Sequence, residues 1–226
     1  MSQPPPLDLL TRLRAGTRDR HHEVERSPLM GRLIAGRLPA VGFHQLQRNL
    51  HVLYAAFEPA LARHAALMVR LVPGWPIDGH LGRADRLAND LAHLHGPGWA
   101  SDLPVLPSTL AGRERIEALD RRGPLLLLAH AYVRYLGDLA GGQILAGRIR
   151  QAQGLCDGSG LSFFSFGTTE QAMTLAERLL AALRSTRLDD RQAEALVAEA
   201  RWSFGLHARM FDELAGAPAS QTVEHR

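Results

Sequence analysis

The chain has 226 residues, a formal net charge of +3, one cysteine and no lysine, so all 26 of its basic residues are arginine. A single cysteine excludes an intramolecular disulfide, a cysteine-based zinc site and a four-cysteine iron–sulfur cluster. Basic residues are interspersed with acids and form no run of five, so nucleic-acid binding is not indicated. The longest apolar stretch, residues 124–131, is too short to span a bilayer, and no secretory signal is recognisable. We therefore expect a soluble cytoplasmic protein.

Taken in chain order, the hydrophobic pattern is helical nearly throughout. It predicts helices over about residues 7–25, 28–35, 39–61, 87–94, 108–122, 125–152, 169–185 and 189–214. Proline and glycine break the chain between them, with loops at 102–107 and 154–167. The fold class is therefore all-α, a single multi-helix domain over residues 7–215 between a flexible N-terminus (1–6) and a flexible tail (216–226).

The first predicted helix carries a basic stripe. Arg14, Arg18 and His21 recur at steps of four and three residues, which places them on one helical face. An imidazole can bind a metal, and two guanidinium forks can pair with carboxylates, so the stripe suits a flat metal-bearing dianion. Glu25 lies one turn after His21 and could fix its tautomer. His22 is the second choice of ligand, and an ordinary solvated face is the alternative reading.

Glycines interrupt the long helix predicted over 125–152. Gly137, Gly141 and Gly142 together cost about 3 kcal/mol of helix stability relative to alanine. The bare backbone they leave suits close approach by a flat ligand, or else close helix–helix packing. Arg134 and Asp138 stand beside it at a four-residue step. The two side chains could form a helical ion pair. Alternatively, the Asp138 carboxylate could order water above a bound ligand.

These segments resemble the heme oxygenase family. The stretch YVRYLGDLAGGQ at 132–143 is a close match, and residues 13–25, 42–58, 161–167 and 211–214 match other family segments in order, so the resemblance covers about 7–215. It implies a fold that holds heme between a proximal and a distal helix. The implied activity is oxidative cleavage of heme at a meso carbon, using O2, to biliverdin, carbon monoxide and ferrous iron.

The resemblance also implies residue roles. His21 takes the position of the iron ligand, Gly137 and Gly141 take those of the distal glycines over the heme, and Gly142 is a further heme-binding position. Asp138 corresponds to the aspartate that organises a proton-delivering water, with Tyr54 and Arg134 as network partners. The implied heme-binding positions are Arg14, Arg18, Glu25 and Tyr132.

The sequence departs from the family pattern at three positions. Ala140 stands where many relatives have serine. Ala176 and Leu180 occupy positions expected to be basic, and Arg178 and Arg184 on the same helix are their candidate replacements at the propionates. The departure leaves the in-plane orientation of heme open, and with it the meso carbon that is cut.

Electrons are expected from an external donor, a ferredoxin or an NAD(P)H-dependent reductase, because the chain has no dinucleotide-binding glycine motif. The bilin is expected either to serve iron acquisition or to supply a bilin-binding photoreceptor. Two alternatives share the scaffold. A non-enzymatic heme carrier or sensor would keep His21 without needing Asp138, and a thiaminase-type enzyme would use Cys156.

Overall fold

The computed structural model describes residues 7–75, 81–155 and 159–216. Its α-helices are α1 (Leu9–Glu25), α2 (Pro28–Ile34), α3 (Ala40–Arg63), α4 (Ala65–Leu71), α5 (Ala84–Leu94), α6 (Trp99–Asp102), α7 (Pro107–Arg122), α8 (Leu127–Gln153), α9 (Thr169–Ser185) and α10 (Asp190–Gly216). Short 3-10 turns cover Pro124–Leu126 and Ser162–Phe164. The described part of the chain contains no strand, which confirms the all-α prediction.

Helix starts follow from local capping. The Asp8 side chain accepts a hydrogen bond from the Thr11 amide and begins α1. Ser27 caps α2 in the same way, with Pro28 at the first helical position. Thr168 and Gln171 form a reciprocal capping box at the start of α9. The caps at Asp8 and Thr168 thus fix where α1 and α9 begin, and these two helices carry predicted heme-facing residues.

Helix α10 is the element on which much of the fold packs, since α1, α2, α7 and α8 all contact it. Two glycines allow the close approach. A Cβ on Gly16 of α1 would lie 2.3 Å from Val197 Cγ1, and one on Gly112 of α7 would lie 2.6 Å from Leu206 Cδ2. Helix α3 packs against α5, α7 and α8. The buried apolar residues of these helices form one core cluster.

The structure corrects the predicted elements at several points. The region after α3 holds a further helix, α4, and residues 99–102 form the short α6, both unpredicted. The helix predicted over 39–61 is confirmed, and α3 continues through Pro59 as that prediction requires. The predicted loop at 154–167 contains the Ser162–Phe164 turn. Cys156, residues 1–6 and residues 217–226 lie outside the described residues. Within the part that is described, every helix is too short or too polar to cross a bilayer.

Candidate functional site

The His21 ring lies at the surface of α1 near its C-terminal end. Its side chain is half exposed, and its Nδ1 lies 3.4 Å from Glu25 Oε2. The ring packs edge-on against Phe204 of α10, with centroids 5.6 Å apart. Glu25 therefore supports protonation at Nδ1, which leaves the Nε2 lone pair available to a metal. His22 Nδ1 lies 3.1 Å from the same Glu25 oxygen, so the carboxylate is shared by both histidines.

The basic residues predicted to face heme propionates are exposed. Arg14 and Arg18 lie on α1, two turns and one turn before His21 respectively, and among the described residues neither forms an ion pair. Arg178 and Arg184 are exposed on α9, and Arg184 lies close enough to Asp8 to help lower the pKa of that carboxyl, mainly held down by the Thr11 amide. Ala176 and Leu180 are half-buried and pack against the core.

Tyr132 connects α8 to α1. Its hydroxyl lies 3.4 Å from Thr17 Oγ1, and Thr17 donates its own proton to the Leu13 carbonyl at 2.7 Å. The tyrosine is thus the donor in the Tyr132–Thr17 contact. This bond joins the two helices one turn before His21 and five residues before Gly137, so both predicted heme-facing segments extend from the same junction.

The glycine face of α8 is open. A Cβ placed on Gly137 or Gly141 would meet nothing within 4 Å, and one on Gly142 would sit 3.6 Å from Phe164 Cδ1. Small residues that serve close helix packing, such as Gly16 and Gly112, instead show Cβ contacts well below 3 Å. The open positions therefore do not fit the helix-packing explanation, and they leave space for a flat ligand over the backbone.

Asp138 stands beside this open face and is bonded to α3. The Tyr54 hydroxyl donates a hydrogen bond to Asp138 Oδ2. Burial raises the pKa of Asp138 from 3.8 to about 6, although the Tyr54 bond and the positive charges of Arg83 and Arg134 oppose the rise. A carboxyl with this pKa exists in both protonation states near neutral pH, as suits a group that holds or moves a proton.

Arg134 does not form the ion pair with Asp138 that their four-residue spacing suggests. No ion pair joins them in the described part of the chain. Arg134 is 2% exposed, and its guanidinium lies over the Tyr54 ring, 5.5 Å from the ring centroid. Its Nη1 lies 3.4 Å from His207 Nε2. The structure thus brings Tyr54, Arg134 and Asp138 into one network, extended to α10 by a histidine that sequence reasoning missed.

Arg83 is a second residue that sequence reasoning missed. It is fully buried, donates from Nη1 to the carbonyls of Phe163 at 2.9 Å and Ser165 at 2.7 Å, and stacks 3.8 Å from the Phe166 ring centroid. Burial lowers its pKa to about 10. Glu58 of α3 accepts from the amides of Arg83 and Ala84. The arginine thereby holds the aromatic turn and places a positive charge near Asp138.

A buried polar cluster joins three helices away from the glycine face. Glu199 of α10 accepts a hydrogen bond from His130 Nε2 at 3.0 Å and from Arg115 Nη2 at 2.5 Å. Burial alone would raise the pKa of Glu199, but the bonds from His130 and Arg115 outweigh it and lower the pKa to about 2. The cluster therefore holds a charged carboxylate in the core, where α7, α8 and α10 meet.

Comparisons with known proteins agree with this geometry. The family model described as Heme oxygenase matches residues 7–213. Heme oxygenase 2 of Synechocystis sp. is 32% identical over 96% of this chain and 87% of its own length. Heme oxygenase 1 of Homo sapiens is 31% identical over 92% of this chain and 72% of its own length.

Solved structures give the same result. The crystal structure of heme oxygenase-2 from Synechocystis sp. PCC 6803 in complex with heme and NO superposes with a TM-score of 0.84 at 32% identity, covering 92% of this chain and 85% of that one. The heme oxygenase from Leptospira interrogans gives a TM-score of 0.84 at 30% identity, covering 92% of this chain and all of that one. With its sequence matched over residues 7–213 and its fold superposed at this level, the chain belongs to the heme oxygenase family.

Proposed function

We propose that this protein binds heme as its substrate between His21 on α1 and the glycine face of α8, and cleaves it. It is a heme oxygenase, and the reaction converts heme at a meso carbon to biliverdin, carbon monoxide and ferrous iron with O2. The observation that carries the placement is the open backbone at Gly137 and Gly141, with the Tyr54–Asp138 pair beside it. Bound heme supplies the iron that activates O2.

The residues of the chain have separable tasks in this proposal. His21 binds iron through Nε2, and Glu25 holds the proton on Nδ1. Arg14 and Arg18, which have no ion-pair partner among the described residues, bind propionates, with Tyr132 at the junction of α1 and α8. Gly137, Gly141 and Gly142 admit heme against the backbone. The α9 positions Arg178 and Arg184 stay candidates for the propionate side opposite α1.

Asp138 acts through water in this proposal. Its carboxylate, held by the Tyr54 hydroxyl, orients a water that delivers a proton on the distal side, so Asp138 itself need not touch O2. Because the glycine face of α8 has no side chains, bound O2 would lie beside backbone and water, without a strong acid in direct contact. This arrangement would direct activated oxygen to a meso carbon of the porphyrin, where the proposed reaction cleaves the ring.

We further propose an external electron donor, a ferredoxin or NAD(P)H-dependent reductase, because the sequence carries no dinucleotide-binding motif. The single cysteine and the need for a reductant support a cytoplasmic location. Delivery of the bilin to a photoreceptor stays one of its two proposed uses, beside iron acquisition.

The test is the spectrum and turnover of the His21→Ala variant. Loss of the nitrogen ligand is expected to shift the heme absorption bands and to stop bilin formation, both restored in part by added imidazole. His22→Ala is the matched control, because it shares Glu25 and the same exposure. The assignment is wrong if His21→Ala keeps the wild-type heme spectrum, or if His22→Ala loses it instead.

A further inference from the structure

We propose that His207 is a positioning residue: it holds the Arg134 guanidinium over the Tyr54 ring and so keeps this arginine from pairing with Asp138. The proposal rests on the proposed function, because it concerns the carboxyl that is to hold the distal water. His207 touches none of the reacting groups in this arrangement. It acts through Arg134 alone.

The geometry defines which way each bond runs. His207 Nδ1 lies 2.9 Å from the Ser203 carbonyl, which can only accept, so Nδ1 carries the proton. Nε2 then carries a lone pair and accepts a hydrogen bond from Arg134 Nη1 at 3.4 Å. Phe211 packs edge-on against the imidazole, with centroids 6.3 Å apart. Burial, with the Arg134 charge next, lowers the pKa of His207 to about 3, so the ring is a neutral acceptor near neutral pH.

Arg134 depends on this acceptor. Its Nε and Nη2 atoms are buried and have no hydrogen-bond partner among the described residues, so His207 is the side chain that anchors the guanidinium there. The other contact is the Tyr54 ring face at 5.5 Å, which attracts a cation without fixing its rotation. An arginine and an aspartate four residues apart are neighbours on the helix surface and can form a weakly stabilising ion pair. The bond to His207 holds the guanidinium away from that partner.

The charged and titratable groups near the two residues come from α3, the start of α5, and α8. Asp138 faces Tyr54 and Glu58 from α3, Arg83 at the start of α5, and Arg134 on its own helix. His207 faces Arg134 and His130 from α8. Of these, Arg134 is shared by both sets. Removing the acceptor at position 207 frees Arg134 to approach Asp138, and an opposite charge within hydrogen-bonding reach lowers a carboxyl pKa by about 1–3 units.

The experiment titrates the Asp138 carboxyl by carbon NMR in the heme-free protein, so its outcome does not depend on turnover. His207→Leu is expected to lower the pKa of Asp138 by about one unit or more. His207→Gln, which restores an acceptor, is expected to return it towards the wild-type value. In an Arg134→Leu background, His207→Leu is expected to change the pKa no further, because the restrained group is gone.

The same variants are then followed with heme, where the pH midpoint of bilin formation is expected to move with the NMR pKa. Melting temperatures identify a variant that does not fold, in which case the less disruptive His207→Met replaces His207→Leu. An unchanged or raised Asp138 pKa in the folded variant would overturn the proposal. So would a shift that persists without Arg134. A failed heme assay with the expected NMR shift would instead count against the proposed function only.

Discussion

At the scale of single residues, the proposed function assigns proton delivery to the Asp138 carboxyl. Its pKa near 6 results from burial opposed by one hydrogen bond and two positive charges. The sequence placed Asp138, Tyr54 and Arg134 together through family resemblance. It could not supply Arg83 or His207, because their positions depend on contacts between helices far apart in the chain, and neither lies in a motif.

This carboxyl predicts a pH dependence. If the ionised form orients the water, bilin formation is expected to fall as pH drops through about 6, where Asp138 takes up a proton. Asp138→Asn is expected to bind heme normally and to lose about 100-fold or more in rate, with no such midpoint. Initial rates of bilin formation across about pH 5 to 8 measure the wild-type midpoint and the rate loss in Asp138→Asn, provided that the electron donor is kept in excess. Wild-type rate in Asp138→Asn would contradict the water-relay proposal.

At the scale of elements, α8 combines helix-destabilising glycines with an open face. Sequence reasoning identified the glycines from their helix-destabilising effect but left ligand binding and helix packing as alternatives. The empty space around Gly137 and Gly141 favours the former. The spacing of glycines along one helix cannot distinguish these alternatives, because only a neighbouring helix shows whether the bare face is covered.

The glycine face predicts opposite effects on stability and function. Gly137→Ala and Gly141→Ala are each expected to stabilise the heme-free protein by up to about 1 kcal/mol, since the added methyl meets no neighbour and alanine favours the helix. Both are expected to weaken heme binding and slow turnover. Thermal unfolding and heme titration measure the two effects.

Gly147→Ala is the matched control for these changes. It lies on the same helix, and its Cβ also meets nothing within 4 Å, but it is outside the proposed heme face. It is expected to raise stability while leaving heme affinity at the wild-type value. Equal heme affinity in Gly137→Ala, Gly141→Ala and Gly147→Ala would contradict the proposed placement.

At the scale of the whole molecule, hydrophobic periodicity and capping residues predicted the all-α fold and most helix positions. They did not predict α4 or α6, since the formation of short helices depends on packing more than on local preference. The cluster of Glu199, His130 and Arg115 was equally inaccessible, because its members lie on three separate helices.

The Glu199 cluster predicts how the molecule responds to acid. The folded pKa of about 2 lies below the ordinary 4.5, so the stabilisation is complete above about 4.5 and is lost as pH falls towards about 2. Glu199→Gln is expected to lower the free energy of unfolding by about 2 kcal/mol near neutral pH. This is less than the full pKa shift of Glu199 would give, because solvent screens the partly exposed Arg115. Denaturant unfolding at several pH values measures this cost. Glu194→Gln, exposed on the same helix, is the control. An effect that stays constant down to acid pH would rule out the buried carboxylate as its source.

The buried Arg83 also determines where a protease can act. Trypsin cuts after lysine and arginine. This chain has no lysine but 26 arginines, so it offers many cleavage sites. At Arg83 the side chain is enclosed by the aromatic turn, and the amides on both sides of the residue are bonded to Glu58. Cleavage between positions 83 and 84 therefore requires α5 and the turn to separate first. A fragment beginning at Ala84 would mark separation of α5 from the aromatic turn, while nicks at surface arginines would report only fraying of the outer helices.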